Sequence, residues 1–214
     1  MSAIIILFLV QLYYYVIAYY RIFRFRLMRR KRAYNENQPI SVIVAVRGEN
    51  EYFLTDELPA LLNQQYEHFE VVVVYIGSDI EYFEQLQNIR NNYSYMRLTK
   101  MGGNDRRFIS TKQALNVGIK SAQYDSLLFT IPGAIPKTDE WVSLMAKGFE
   151  YGKIVVGPAI TTYEEDTFKN YIKRATELHG MRNAMAAAVN DNFYYAPRSN
   201  YGFTRDLYNS TRGY

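Results

Sequence analysis

Cysteine is absent from the 214 residues, and histidine is reduced to His68 and His179. The first absence excludes disulfides, thiolate metal sites and cysteine nucleophiles. The second leaves nothing from which to build an imidazole-rich zinc site. Acid is missing from one stretch in particular: residues 1–32 contain seven Lys/Arg and no Asp or Glu. The overall net charge of +4 therefore conceals a remainder with 18 basic against 21 acidic residues. A broad cationic surface for nucleic acid is excluded, and the basic cluster is placed where phospholipid head groups would meet it.

The same N-terminal stretch lacks any charge from Ser2 to Tyr20. Ile4, Ile5, Ile6, Leu7, Phe8, Leu9 and Val10 continue through Leu12, Val16 and Ile17, about the ~20 residues that cross a bilayer as helix. Tyr13, Tyr14, Tyr15, Tyr19 and Tyr20 thicken the second half, as amphipathic rings do at a head-group layer. Seven cations from Arg21 to Arg32 follow at once, and the positive-inside tendency then sets the rest of the chain on the cytoplasmic side. A cleaved signal peptide would carry its basic region before the apolar run and a small-residue cleavage site after it, and neither is present. Ile22, Phe23, Phe25, Leu27 and Met28, spaced among arginines, suit a helix that lies along the surface as it leaves the bilayer.

The expected organisation is a single-pass membrane helix with its basic flank over 1–32, a polar linker over 33–38 and one α/β domain over 39–214. That remainder is long enough for one core and short for two. Ile40 to Val46 and Phe69 to Ile76 are apolar at nearly every place and rich in β-branched residues, the pattern of strands buried on both faces. Tyr95 to Leu98, Asp125 to Thr130 and Ile154 to Val156 are further strands. Between them helical spacing runs through Leu54, Leu58, Leu61 and Leu62, with Thr55 and Asp56 as start signals and Pro59 in an early turn. It returns at Ile80 to Ile89, after a Ser110 cap through Ala122, and from Thr138, Asp139 and Glu140 to Gly148. A turn is expected at Gly102-Gly103-Asn104. A long helix is expected from Glu164 to Val189, weakened at Gly180, then short strands at Phe193-Tyr194-Tyr195 and Tyr201-Gly202-Phe203. Strands alternating with helices predict right-handed crossovers and a doubly wound, mainly parallel sheet, whose ligands bind beyond the carboxyl ends of the strands.

The segments PISVIVAVRGEN, LPALLNQQYEHFEVVVV, KQALNVGIKSAQYDSLLFT and IPKTDEW stand in the order found in family 2 glycosyltransferases, which the chain resembles over roughly residues 38–210. The most specific pieces are Arg47-Gly48-Glu49 after the first strand and Lys112-Gln113-Ala114-Leu115-Asn116 opening the third helix. The resemblance implies a GT-A fold. It also implies a vestigial nucleotide-sugar pocket to which Arg47 and Glu49 contribute near the base and Lys112 near the phosphates.

The departures from that family define what is expected of the chemistry. Where it has aspartates after the second strand, this sequence has Val74-Tyr75-Ile76 before Gly77-Ser78. Where it has an Asp-x-Asp metal motif after the fourth, this sequence has Ile131-Pro132-Gly133. Aligned on Ile135-Pro136, Ile131 and Gly133 hold the two metal positions, and neither supplies the oxygen ligands a hard divalent cation needs. Asp79, Asp105, Asp125 and Asp139 are nearby in sequence; Asp125 precedes its strand, and Asp139 is explained by helix capping. The family's catalytic base would follow a stretch like Arg212-Gly213-Tyr214, beyond the last residue. Arg198-Ser199-Asn200 and Arg205-Asp206-Leu207-Tyr208 are altered forms of the segments around its returning strand.

The resemblance therefore implies a pseudoenzyme with no catalytic residue, no metal ligand and no cofactor. It would act as a binding or scaffold subunit in envelope polysaccharide or glycolipid biosynthesis. Membrane lipid, a protein partner completing the domain and weakly held nucleotide sugar are the expected partners. The alternative is an active, metal-independent enzyme in which Lys112, Arg106 or Arg107 replaces the cation.

Overall fold

A computed structural model describes residues 2–29, 38–102, 110–162, 165, 167–189 and 194–211. The chain divides into two compact units: residues 1–33 with 158–196, and residues 34–157 with 197–214. The turn expected at Gly103-Asn104, the Asp105-Arg106-Arg107 stretch and Arg212 to Tyr214 lie outside the described residues.

In the first unit, helix α1 (Ser2–Tyr13) runs through a π-helical turn, Tyr14–Ala18, into α2 (Tyr19–Arg29). The apolar run Ile4–Arg24 within it is 21 residues long, long enough to cross a membrane. Helix α7 (Phe168–Ala188), capped by the Thr167 side chain on the Asn170 amide, packs against the second half of this N-terminal helix. There the Arg182 guanidinium stacks 4.1 Å over the Tyr19 ring, and the Tyr19 hydroxyl lies 3.4 Å from His179 Nδ1.

The second unit is built on a six-stranded sheet. Its strands are β1 (Ile40–Arg47), β2 (Phe69–Ile76), β3 (Met96–Met101), β4 (Ser126–Thr130), β5 (Ile154–Val156) and β6 (Tyr201–Thr204). They lie in the order β3-β2-β1-β4-β6-β5. The first four are mutually parallel, with Ile40 opposite both Phe69 and Ser126, and β6 is antiparallel to both its neighbours. The expected mainly parallel α/β sheet is thus present.

Because successive side chains alternate across a strand, two cores form. Val42, Val44, Val46, Val71 and Val73 face α3 (Leu58–Leu62), α4 (Ile80–Asn92) and α6 (Trp141–Phe149). Ile43, Val72, Val74 and Phe129 face α5 (Thr111–Ser121). Gly118 lets α5 close on that face: a Cβ there would stand 2.5 Å from Ile43 Cγ2.

Several elements differ from the sequence expectation. Thr55 and Asp56 do not start the second helix, which is already helical at Glu51 and is capped by Asn50 Oδ1 on the Phe53 amide (3.0 Å). It then passes through a π turn, Phe53–Glu57, where the Leu58 amide reaches back to Phe53 O. Pro59, which lacks an amide and crowds the preceding turn, is accommodated directly after this wider turn. Tyr194-Tyr195 is not a strand, and a short helix not foreseen, α8 (Arg205–Ser210), follows β6.

Candidate functional site

The carboxyl ends of β1, β2 and β4 are drawn together by side chains from the loops that leave them. After β1, Gly48 adopts φ 67 and donates its amide to Ile76 O of β2 at 2.9 Å, so the loop turns sharply over the neighbouring strand end. After β2, Asp79 caps α4 by accepting the Tyr82 amide at 2.6 Å. The Tyr82 hydroxyl crosses to Asn50 O at 2.9 Å, and Asn50 caps the helix leaving β1. Burial, set against this hydrogen bond and reinforced by the neighbouring Tyr75 and Glu57, pushes the Tyr82 phenol up to about 12.

Beneath the turn after β4 lies a carboxylate. Glu57 is 1% exposed and accepts the Gly133 amide at 2.7 Å, while Gly133 itself takes φ 95. Burial raises the Glu57 pKa above 4.5; the bond from Gly133 opposes the rise and the adjacent Asp56 charge adds to it. The π turn delivers Glu57 to this place by rotating the helix face that also carries Leu58 and Leu61. Asn50, Glu57 and Tyr82 are therefore the residues that organise this end of the sheet, and sequence reasoning missed them. A signal existed for Glu57, since an acid three residues after Leu54 and four before Leu61 falls on the apolar face.

Arg47, Glu49 and Lys112 are all exposed. Arg47 ends β1, Glu49 follows Gly48 in the loop, and Lys112 stands in the first turn of α5. That helix is opened by a reciprocal capping box, the Ser110 hydroxyl accepting the Gln113 amide while the Gln113 side chain accepts the Ser110 amide. Tyr75, in the segment that stands where the resembled family has aspartates, is fully buried. Its ring lies 5.9 Å from Phe83 in a stack and 5.3 Å from Tyr82, inside the α4-side core and not at the strand exit.

The aspartates are engaged elsewhere. Asp79 is the α4 cap, Asp125 accepts Arg205 Nε at 3.1 Å, and Asp139 accepts the Gln65 side chain. The last corrects the reading of Asp139 as a helix cap: α6 begins after Glu140 without a side-chain cap. Asn200 holds Trp141 Nε1 at 3.0 Å and accepts the Gly157 amide, so the Arg198-Ser199-Asn200 segment braces β5 and α6. Arg205 closes the carboxyl end of α5, donating to Ile119 O, Ala122 O and Tyr124 O.

A GT-A site of the metal-dependent kind needs carboxylate oxygens at the β4 exit, and the residues present do not fit one. Ile131 and Gly133 offer no ligand side chain, and Glu57 is turned onto an amide. Among the described residues no group of three His, Asp or Glu side chains is arranged to hold a metal ion.

No family model and no curated protein matches the sequence. Solved structures do share its fold, among them glycosyltransferases of the GT-A type. The mannosyltransferase PcManGT from Pyrobaculum calidifontis, in complex with GDP-Man and Mn2+, covers 93% of this chain at 16% identity and a TM-score of 0.59. S. aureus TarS 1-349 in complex with UDP-GlcNAc covers 61% at 20% identity and a TM-score of 0.51, and its complex with UDP gives the same figures. This chain spans 56% of the first protein's length and 37% of the second's. At these identities the likeness is one of fold.

Proposed function

We propose that this is a glycosyltransferase-like membrane protein without donor-cleaving activity, serving as a binding or scaffold subunit in envelope polysaccharide or glycolipid biosynthesis. One observation carries the reading: the β4 exit presents Ile131 and Gly133, and the carboxylate that reaches it, Glu57, accepts the Gly133 amide instead of facing a ligand. A departing nucleoside diphosphate accumulates negative charge. Loss of the groups that stabilise such charge costs ~10²–10³-fold in rate.

Glycosyltransferases of this fold have been solved with UDP-GlcNAc, UDP and GDP-Man, which supports a residual nucleotide-sugar affinity here through Arg47, Glu49 and Lys112. The apolar Ile4–Arg24 helix supports a single-pass attachment, and its arginine flank supports a cytoplasmic α/β unit. A scaffold also requires a protein partner, detectable by co-purification from membranes.

The test is to supply the purified full chain with UDP-GlcNAc or GDP-mannose and Mn²⁺ and to follow nucleotide release. No release above the protein-free blank is expected. Calorimetry with UDP at millimolar concentration should show weak binding, equal with and without Mn²⁺ and diminished in Lys112→Ala. Turnover abolished by Lys112→Ala would instead establish the metal-independent enzyme.

A further inference from the structure

Helix α7 presents an apolar face that its position in the first unit explains. Phe168, Tyr171, Ile172, Ala175 and Leu178 recur at three- and four-residue spacing, which at 3.6 residues per turn is one stripe along the helix. Phe168 is 81% and Tyr171 62% exposed, and Ile172 and Leu178 are close to half exposed. Continued at the same spacing, the stripe passes through His179, Arg182 and Ala186. There it meets the N-terminal helix, with Arg182 over the Tyr19 ring and His179 beside the Tyr19 hydroxyl. Tyr19 and Tyr20 close the tyrosine-rich end of the apolar run, directly before Arg21.

The stripe thus lies on the side of α7 from which the apolar run approaches, at the level where that run changes from aliphatic to aromatic and basic. A second face, carrying Met181 and Ala184, is buried, and a third carries Lys169, Lys173 and Thr176. The helix holds four Lys/Arg against one acid. That acid, Glu177, is engaged by the Thr161 amide and hydroxyl, both at 3.1 Å. Exposed Tyr194 and Tyr195 follow the helix in the same unit. An aromatic and aliphatic stripe flanked by cations and continuous with a membrane-crossing helix matches the interface of a phospholipid bilayer, where rings take the head-group level and lysines meet phosphate.

We propose that α7 lies in the bilayer interface with Phe168, Tyr171, Ile172 and Leu178 embedded, giving the chain a second attachment beside its N-terminal helix. The proposal rests on the membrane reading of that helix. Two attachment points would fix the tilt of the helix pair against the membrane plane.

The absence of cysteine makes the test direct. Single-cysteine variants carry a nitroxide in proteoliposomes of phosphatidylcholine with a minority of phosphatidylglycerol, and relaxation by oxygen is compared with relaxation by a water-soluble nickel chelate. Ile172→Cys and Leu178→Cys probe the stripe, Lys169→Cys and Thr176→Cys the polar face, and Phe8→Cys the N-terminal helix. The expected oxygen-to-nickel ratio is severalfold higher at 172 and 178 than at 169 and 176, and highest at 8. A ratio at 172 and 178 equal to that at 176, with 8 still oxygen-rich, overturns the α7 assignment alone. Protection of 172 and 178 from both reagents also overturns it, by showing protein on that face. A water-accessible residue 8 removes the membrane reading and the proposal with it.

Discussion

Glu57 is the residue at which the sheet's carboxyl end is most sensitive. Its carboxyl is buried, takes the Gly133 amide, and is neighboured by the Asp56 charge and by the phenol of Tyr82. Because burial raises its folded pKa above 4.5, the folded state holds the proton more tightly than the unfolded chain does. The stabilisation is complete below pH 4.5 and is lost as pH rises through the folded pKa. Glu57→Gln keeps an oxygen for the Gly133 amide and has no charge to bury. Urea melts across pH should therefore show the Glu57-dependent decline in the wild type and not in the variant, with the variant more stable at neutral pH. Glu57→Ala leaves the amide without its acceptor and should cost about 1–3 kcal/mol. Of this arrangement the sequence shows only an acid on an apolar face. The partner, Gly133, is 76 residues away and its amide carries no side-chain signature.

Elements were legible where their signal is local, and less so where it is a pairing. β1 and β2 announce themselves through unbroken β-branched runs, and the α5 cap through Ser110 and Gln113. The π turn did not, since a shift from four- to five-residue hydrogen bonding leaves the apolar spacing of Leu54, Leu58 and Leu61 looking like an ordinary helix. Nor did the insertion of β6 between β4 and β5, which depends on contacts between distant segments. Gly202 shows why that strand can enter. A Cβ there would stand 2.6 Å from Leu127 O and 3.0 Å from Phe149 Cζ, so β6 fits only because the side chain is missing. The backbone oxygen cannot yield as a flexible side chain could. Gly202→Ala should destabilise the α/β unit by about 1–3 kcal/mol, seen as a lowered melting temperature and lost protection of Leu127–Phe129 amides in hydrogen exchange. An unchanged melt would mean that β6 contributes little to the sheet.

For the molecule as a whole, the distribution of charge makes a claim about sides of a membrane. All seven cations of residues 1–32 follow the uncharged stretch from Ser2 to Tyr20. Retention of such a cluster on the cytoplasmic side would leave Ser2 outside and carry β1 onward inside. The cysteine-free chain allows the two ends to be read separately. Ser2→Cys and Lys137→Cys place single thiols at the first residue of the N-terminal helix and on an exposed position of the α/β unit. In intact cells expressing the full chain, a membrane-impermeant maleimide should label Ser2→Cys and spare Lys137→Cys until the cells are lysed. The reverse pattern would put the α/β unit outside, away from cytoplasmic nucleotide sugars. Labelling of both in intact cells would fit neither orientation of a single span. The first outcome alone joins the chain's two halves into one account: a basic collar that holds the N-terminal segment in one direction, and a glycosyltransferase-like α/β fold held on the cytoplasmic side.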